Sequence, residues 1–229
     1  IKRRDVEAAA ANACPSAAVA RPGAGATVVL LHGFGADRSA WRLVAPLLDP
    51  GLRVIMPELP GHGSAPALEV SRIDDIARAV DDELAAQGVE DAHLVGHSLG
   101  GAAALALSRA GRLRIRSLCL IAPGGLGPEI NFAFLNGLTQ ATREESLRPW
   151  LEKMVADPSR LPEGLAGTVL RQRERSGAGA AQARLLAALF PDGTQAMRLG
   201  AALEAIRVPA KVLWGTKDAV IPNAHASAV

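Results

Sequence analysis

The chain has 229 residues, 49% of them hydrophobic and 21% charged, which is enough apolar material for one sizeable core and excludes a disordered acidic or basic chain. Its 25 basic and 23 acidic residues leave a net charge of +2, so the balance carries no nucleic-acid footprint. The two cysteines, Cys14 and Cys119, form neither a disulfide framework nor a metal pattern, which points to a reducing, cytoplasmic compartment and predicts no metal site. Apolar runs such as Ala26–Leu31 fall far short of the ~18 residues of a spanning helix, so no membrane partner is predicted.

Basic residues precede an alanine stretch at the N-terminus, but Asp5, Glu7 and Asn12 interrupt any signal-peptide core. Residues 1–11 read as a helix end and residues 12–26 as an Ala/Pro linker, with Ala17–Ala20 able to form at most a short edge strand. From Thr27 the pattern changes to buried apolar runs alternating with amphipathic stretches. That alternation predicts an α/β fold with a mainly parallel sheet of five or six strands and crossover helices. Strands are predicted at Thr27–Leu31, Arg53–Met56, His93–Gly96, Ser117–Ile121 and Ala210–Trp214, and helices at Ser39–Leu48, Ser71–Gln87 and Gly100–Arg109. The helical stripe Ile73, Ile76, Ala77, Val80, Leu84 is the clearest of these signals. Leu126–Ala205 then breaks the rhythm with helical patterns alone, too long for a crossover, and reads as an inserted cap.

Chemistry enters at Gly96-His97-Ser98-Leu99-Gly100, directly after the strand at His93. A G-x-S-x-G segment between a strand and a helix holds its serine on a strained turn, the nucleophile elbow, with the hydroxyl at a helix N-terminus that favours developing negative charge. His32-Gly33-Phe34-Gly35, after the first long strand, is placed to supply a second backbone donor. Phe34 and Leu99 amides are therefore predicted to converge above Ser98 as an oxyanion hole, an ordinary Gly-rich turn being the plainer explanation of the first loop. Asp218, in Trp214-Gly215-Thr216-Lys217-Asp218, follows a strand where a triad acid belongs, although a helix-capping role before Pro222 fits the same position. No histidine suits the role of base. His32 lies in the donor loop, His62 in a turn, His93 at a strand start, and His97 is aimed away by the elbow; His225 lies only seven residues beyond Asp218.

These residues resemble the α/β-hydrolase superfamily from Thr27 onwards, and Pro57-Glu58-Leu59-Pro60-Gly61-His62-Gly63-Ser64 is similar to its DLPGHGxS turn with Glu58 in place of Asp. Within the superfamily the resemblance is to the acyltransferase (E2) components of acetoin dehydrogenase complexes. It is carried by Ala122–Asn131, Leu147–Pro158 and Leu189–Gln195, and by Ile1–Ala8, which resembles the last helix of a peripheral subunit-binding domain. The resemblance implies acyl transfer through an acyl-Ser98, with a lipoyl group as donor and coenzyme A as acceptor, no tightly bound cofactor, and other subunits of a 2-oxoacid or acetoin dehydrogenase-type complex as partners. His32, Gly33, Phe132 and Trp150 are the expected substrate contacts beneath the cap. Against the family pattern, the first two strands and the last strand have no full counterpart, and only 11 residues follow Asp218. The chain is therefore expected to be a C-terminally truncated domain whose triad histidine lies outside it, with very weak activity and an exposed edge at Ala210–Trp214. A stand-alone esterase or C–C bond hydrolase, and a non-catalytic scaffold, remain the alternatives; a lipoyl domain upstream, or a histidine segment downstream, would separate them.

Overall fold

A computed structural model describes residues 19–21, 23, 25–65 and 68–228; the segment read as a subunit-binding helix lies outside these residues. Six strands form one sheet: β1 (Val19–Arg21), β2 (Thr27–Leu31), β3 (Arg53–Ile55), β4 (Asp91–His97), β5 (Arg114–Ile121) and β6 (Ala210–Leu213). Their order is β1-β3-β2-β4-β5-β6. Every pairing is parallel except β1 with β3. The mainly parallel sheet expected from the strand and helix rhythm is present, and the span read as a linker contributes its antiparallel edge strand.

The central strands read as apolar runs because helices cover both faces. Val29, Leu30 and Leu31 are fully buried or nearly so, as are Val54, Ile55, Leu94, Leu118 and Leu120. Helix α1 (Ile73–Ala86) buries the stripe Ile73, Ile76, Ala77, Val80, Leu84. Asp75 caps its start by accepting from the Ser71 and Arg72 amides at 2.9 and 3.1 Å. Asp81, also buried, accepts from the Arg112 and Leu113 amides at 3.1 and 3.2 Å, tying α1 to the start of β5.

Helix α2 (Leu99–Ala110) is buried from Leu99 to Leu107, which its small residues permit. An added Cβ at Gly100 would collide with the Leu31 and His32 carbonyls, so only glycine lets α2 approach the sheet so closely. The helix predicted over Ser39–Leu48 is instead two short 3-10 turns, Arg38–Trp41 and Ala45–Leu47. Pro46 explains the break: it has no N–H and its ring clashes with the carbonyl four residues back.

The cap expected at Leu126–Ala205 is built from α3 (Phe132–Gln140), α4 (Glu144–Glu152), α5 (Leu165–Ser176), α6 (Ala178–Leu189) and the short α7 (Gly200–Glu204). It is not helical throughout, since residues 190–199 are irregular. Gln195 secures that stretch. It is 1% exposed, accepts from the Gly125 amide at 2.9 Å, and donates to the Gly127 and Glu129 carbonyls at 2.9 Å each. A side chain with both functions therefore pins the irregular part of the cap to the segment leaving β5. No helix among the described residues is long and apolar enough to cross a membrane.

Candidate active site

Ser98 joins β4 to α2 with φ +52° and ψ −114°, a conformation that L-residues rarely adopt. Three backbone bonds enforce it. The Ser98 amide donates to the Ile121 carbonyl at 2.9 Å, and its carbonyl accepts from Ala102 and Gly124 at 3.0 and 3.1 Å. Glycines give the turn room, because a Cβ at Gly96 would strike Gly100, and one at Gly101 would come within 2.8 Å of Pro123. A second strained residue, Ala122 at φ +42°, ends β5 beside the turn. Alanine carries no sequence signal for such a conformation, and the sequence left this position unmarked.

Ser98 opens into a cavity of about 560 Å³ between sheet and cap, shared with Gly33, Phe34, His97, Ile121 and Ala122 from the sheet side. Phe134, Leu135 and the exposed loop Lys153–Ala156 close it from the cap, and Gly215–Ile221 closes it from the loop after β6. Leu99 contributes the first amide of α2, which has no acceptor inside the helix. Among the described residues, neither this amide nor that of Phe34 is hydrogen-bonded to a protein acceptor.

The Gly33–Gly35 loop is held from behind by two buried histidines. The Gly35 amide donates to His62 Nε2 at 3.0 Å, and His62 Nδ1 sits 3.0 Å from the Pro60 carbonyl. With an N–H on one side and a carbonyl on the other, the neutral Nδ1–H tautomer satisfies both contacts. Burial, with the neighbouring His32 adding to it, pushes the His62 pKa down to about 3. His32 is fully buried, with Nδ1 at 2.9 Å from the Gly33 carbonyl and Nε2 accepting from the Leu59 amide at 3.1 Å. Glu58, the residue standing where the resembling turn has Asp, reaches Arg38 Nε at 2.6 Å.

Asp218 lines the cavity with its carboxylate turned into its own loop. Oδ1 accepts from the Val220 and Ile221 amides at 2.8 and 3.0 Å. Its charge also acts on His97: burial lowers the His97 pKa, and the Asp218 charge partly offsets that. Thus the loop-ordering and electrostatic roles coexist at one carboxylate. No described residue hydrogen-bonds to Ser98 Oγ. His225 is engaged elsewhere, with Nε2 donating to Glu129 Oε2 at 2.8 Å and its ring edge-on to Trp214.

Residues 28–229 match the alpha/beta hydrolase family. The chain belongs to that family. This alpha/beta hydrolase is 37% identical over 203 residues to the dihydrolipoyllysine-residue acetyltransferase component of the acetoin cleaving system of Pseudomonas putida, a match covering 88% of this chain and 54% of that protein. It therefore spans about half the length of that relative. It is 33% identical over 213 residues to a 2-hydroxy-6-oxononadienedioate/2-hydroxy-6-oxononatrienedioate hydrolase of Paraburkholderia phymatum, covering 86% of this chain and 72% of the relative. The structure of 2-hydroxy-6-oxo-6-phenylhexa-2,4-dienoate hydrolase from a Rhodococcus strain superposes with a TM-score of 0.77 at 23% identity, over 92% of this chain and 80% of that one, and shows the shared fold.

Of the expected substrate contacts in this alpha/beta hydrolase, only Gly33 reaches the cavity. His32 lies beneath the loop with no exposed surface. Phe132 packs on Gly193, and the Trp150 ring fills the space beside Gly137. Aromatic residues in the cap thus serve its own packing in two of these cases, while Phe134, Leu135 and Met154 line the cavity that holds Ser98. Their helical spacing marks an apolar face without saying which neighbour that face meets. Among the described residues no group of three or more His, Cys, Asp or Glu side chains is positioned to hold a metal ion.

Proposed function

We propose that this domain transfers an acyl group from a dihydrolipoyl thioester to coenzyme A through an acyl-Ser98 intermediate. Ser98 Oγ attacks the thioester carbonyl, the C–S bond breaks, and the departing sulfur leaves as a thiol with the proton that Oγ gives up. The coenzyme A thiol then attacks the acyl-serine, the C–O bond breaks, and Ser98 regains its proton. The unpaired Phe34 and Leu99 amides are the donors proposed for the oxyanion in both steps. Asp218 is the proposed acid of the triad, already fixed by two amides.

The observation that carries the chemistry is the strained Ser98 lining the cavity between sheet and cap, because such strain persists only where the surroundings enforce it. The acyl-transfer assignment is supported by the 37% identity to an acetyltransferase component of an acetoin cleaving system, and the same similarity supports the proposal of a place among the subunits of such a system. The 33% identity to a dienedioate hydrolase favours a second reading, C–C bond hydrolysis at the same serine. Incubation with S-acetyldihydrolipoamide and coenzyme A separates them. Acetyl-coenzyme A that forms faster than free acetate, and is lost in Ser98→Ala, supports transfer. Turnover of 2-hydroxy-6-oxo-dienoates with no acetyl-coenzyme A supports the hydrolase, and no Ser98-dependent chemistry on either substrate supports a scaffold.

A further inference from the structure

A second compartment of about 280 Å³ lies between the cap and the segment after β2, and it shares Phe34, Ala36, Met154 and Val155 with the Ser98 cavity. Its walls are mostly aliphatic, from Leu138, Leu165 and Val169 among others. Of the polar groups in them, one is buried without a partner. Gln182 of α6 is 4% exposed, and its Oε1 is buried without a hydrogen-bond partner. Among the described residues the rest of its carboxamide is unpaired as well. Its helix neighbours Ala181, Leu185 and Leu186 are apolar and buried, so an apolar residue would pack at this position without that cost.

Three charged groups also line the compartment, Asp37, Arg42 and Arg173, and each already has a hydrogen-bond partner. Asp37 accepts from the Ser39 amide at 2.7 Å. Arg173 donates to the Leu138, Thr139 and Ala141 carbonyls at 2.9 to 3.3 Å. Arg42 is exposed to solvent, while Asp37 and Arg173 oppose each other in sign, so the less exposed part of the lining is near neutral and suits an uncharged guest. A carboxamide offers an acceptor and a donor side by side, and its complement is another amide.

We propose that this compartment seats the amide end of the acyl-carrying arm: an aliphatic chain ends in an amide paired with Gln182, while its thioester passes between Phe34 and Met154 to Ser98. The inference rests on the acyl-transfer reading and makes Gln182 a specificity residue for the donor. Met154 suits the boundary because its unbranched side chain adapts to a passing chain.

The test is calorimetric titration of the protein with lipoamide, methyl lipoate and lipoic acid, which share one chain and differ in the end group. The intact protein is expected to bind lipoamide about tenfold more tightly than the methyl ester, the size of one well-made buried hydrogen bond. In Gln182→Leu the two should bind alike, while Tm stays level or rises because an unpaired carboxamide has been removed. If Gln182→Leu does not fold, Gln182→Met provides the same comparison. Equal binding of amide and ester by the intact protein, an unchanged preference in the variant, or no binding of either overturns the proposal. Tightest binding of lipoic acid overturns it too, and assigns the compartment to an anion through Arg173. Acetyl transfer to coenzyme A is read separately, so loss of transfer with intact amide selectivity overturns the chemistry and leaves the site standing.

Discussion

Replacing His62 by glutamine should flatten the acid sensitivity of this domain. His62 has no exposed surface, and burial together with the adjacent His32 pushes its pKa from 6.5 to about 3. Above pH 6.5 the ring is neutral whether the chain is folded or unfolded. As pH falls below 6.5 the unfolded chain takes up a proton that the folded chain refuses, so stability declines until the folded ring also protonates near pH 3. At about 1.36 kcal/mol per unit, the full difference is about 5 kcal/mol, of which about 2.7 kcal/mol is lost between pH 7.5 and 4.5. Urea unfolding of the two proteins across that range measures it, since groups that titrate alike in both cancel in the difference. The His62→Gln variant starts less stable at pH 7.5, having lost one or both ring contacts, but its curve should fall less steeply by about 2.7 kcal/mol. Parallel curves would refute the assignment of a neutral, proton-refusing His62 behind the Gly33–Gly35 loop.

Three further outcomes follow from the site. Ser98→Gly should relieve the backbone strain at φ +52° and raise Tm by about 2–4 °C, the net of about 1–3 kcal/mol of relief against the entropy cost of glycine, while Ser98→Ala should leave Tm near its starting value; thermal melts of both variants check this. Asp218→Asn keeps an acceptor for the Val220 and Ile221 amides but removes the charge that raises His97. Acyl transfer should fall by about tenfold or more with little change in Tm, and a histidine NMR titration should show His97 binding protons at still lower pH. His225→Gln should leave p-nitrophenyl acetate turnover within about twofold, because that ring is committed to Glu129; a collapse of turnover would make His225 the base.

The sheet was legible because its strands are buried on both faces and read as continuous apolar runs: Thr27–Leu31 was located to the residue. The elbow was legible for a different reason, since Gly96 and Gly100 stand where any Cβ would collide with backbone. Ala122 shows the limit of that signal, as it is strained without a glycine to announce it. The helix read over Ser39–Leu48 failed at Pro46, where the local rule against proline should have outweighed the apolar pattern. His32 and Trp150 are expected at the substrate from the resemblance alone. Their actual contacts, under the donor loop and against Gly137, depend on how distant segments meet. Gln182 was invisible for the same reason, because a glutamine in an alanine-rich helix gains meaning only once its surroundings are known to be apolar.

Acyl-enzyme trapping tests the central claim most directly. The protein is mixed with p-nitrophenyl acetate, quenched in acid, digested, and its peptides are weighed by mass spectrometry. Slow formation is expected, because among the described residues none hydrogen-bonds to Ser98 Oγ to activate it. A single acetyl group on the peptide carrying Ser98, absent in Ser98→Ala and discharged by added coenzyme A, is the expected result. Acetylation that survives Ser98→Ala, or an acetyl group found only on other residues, would contradict it.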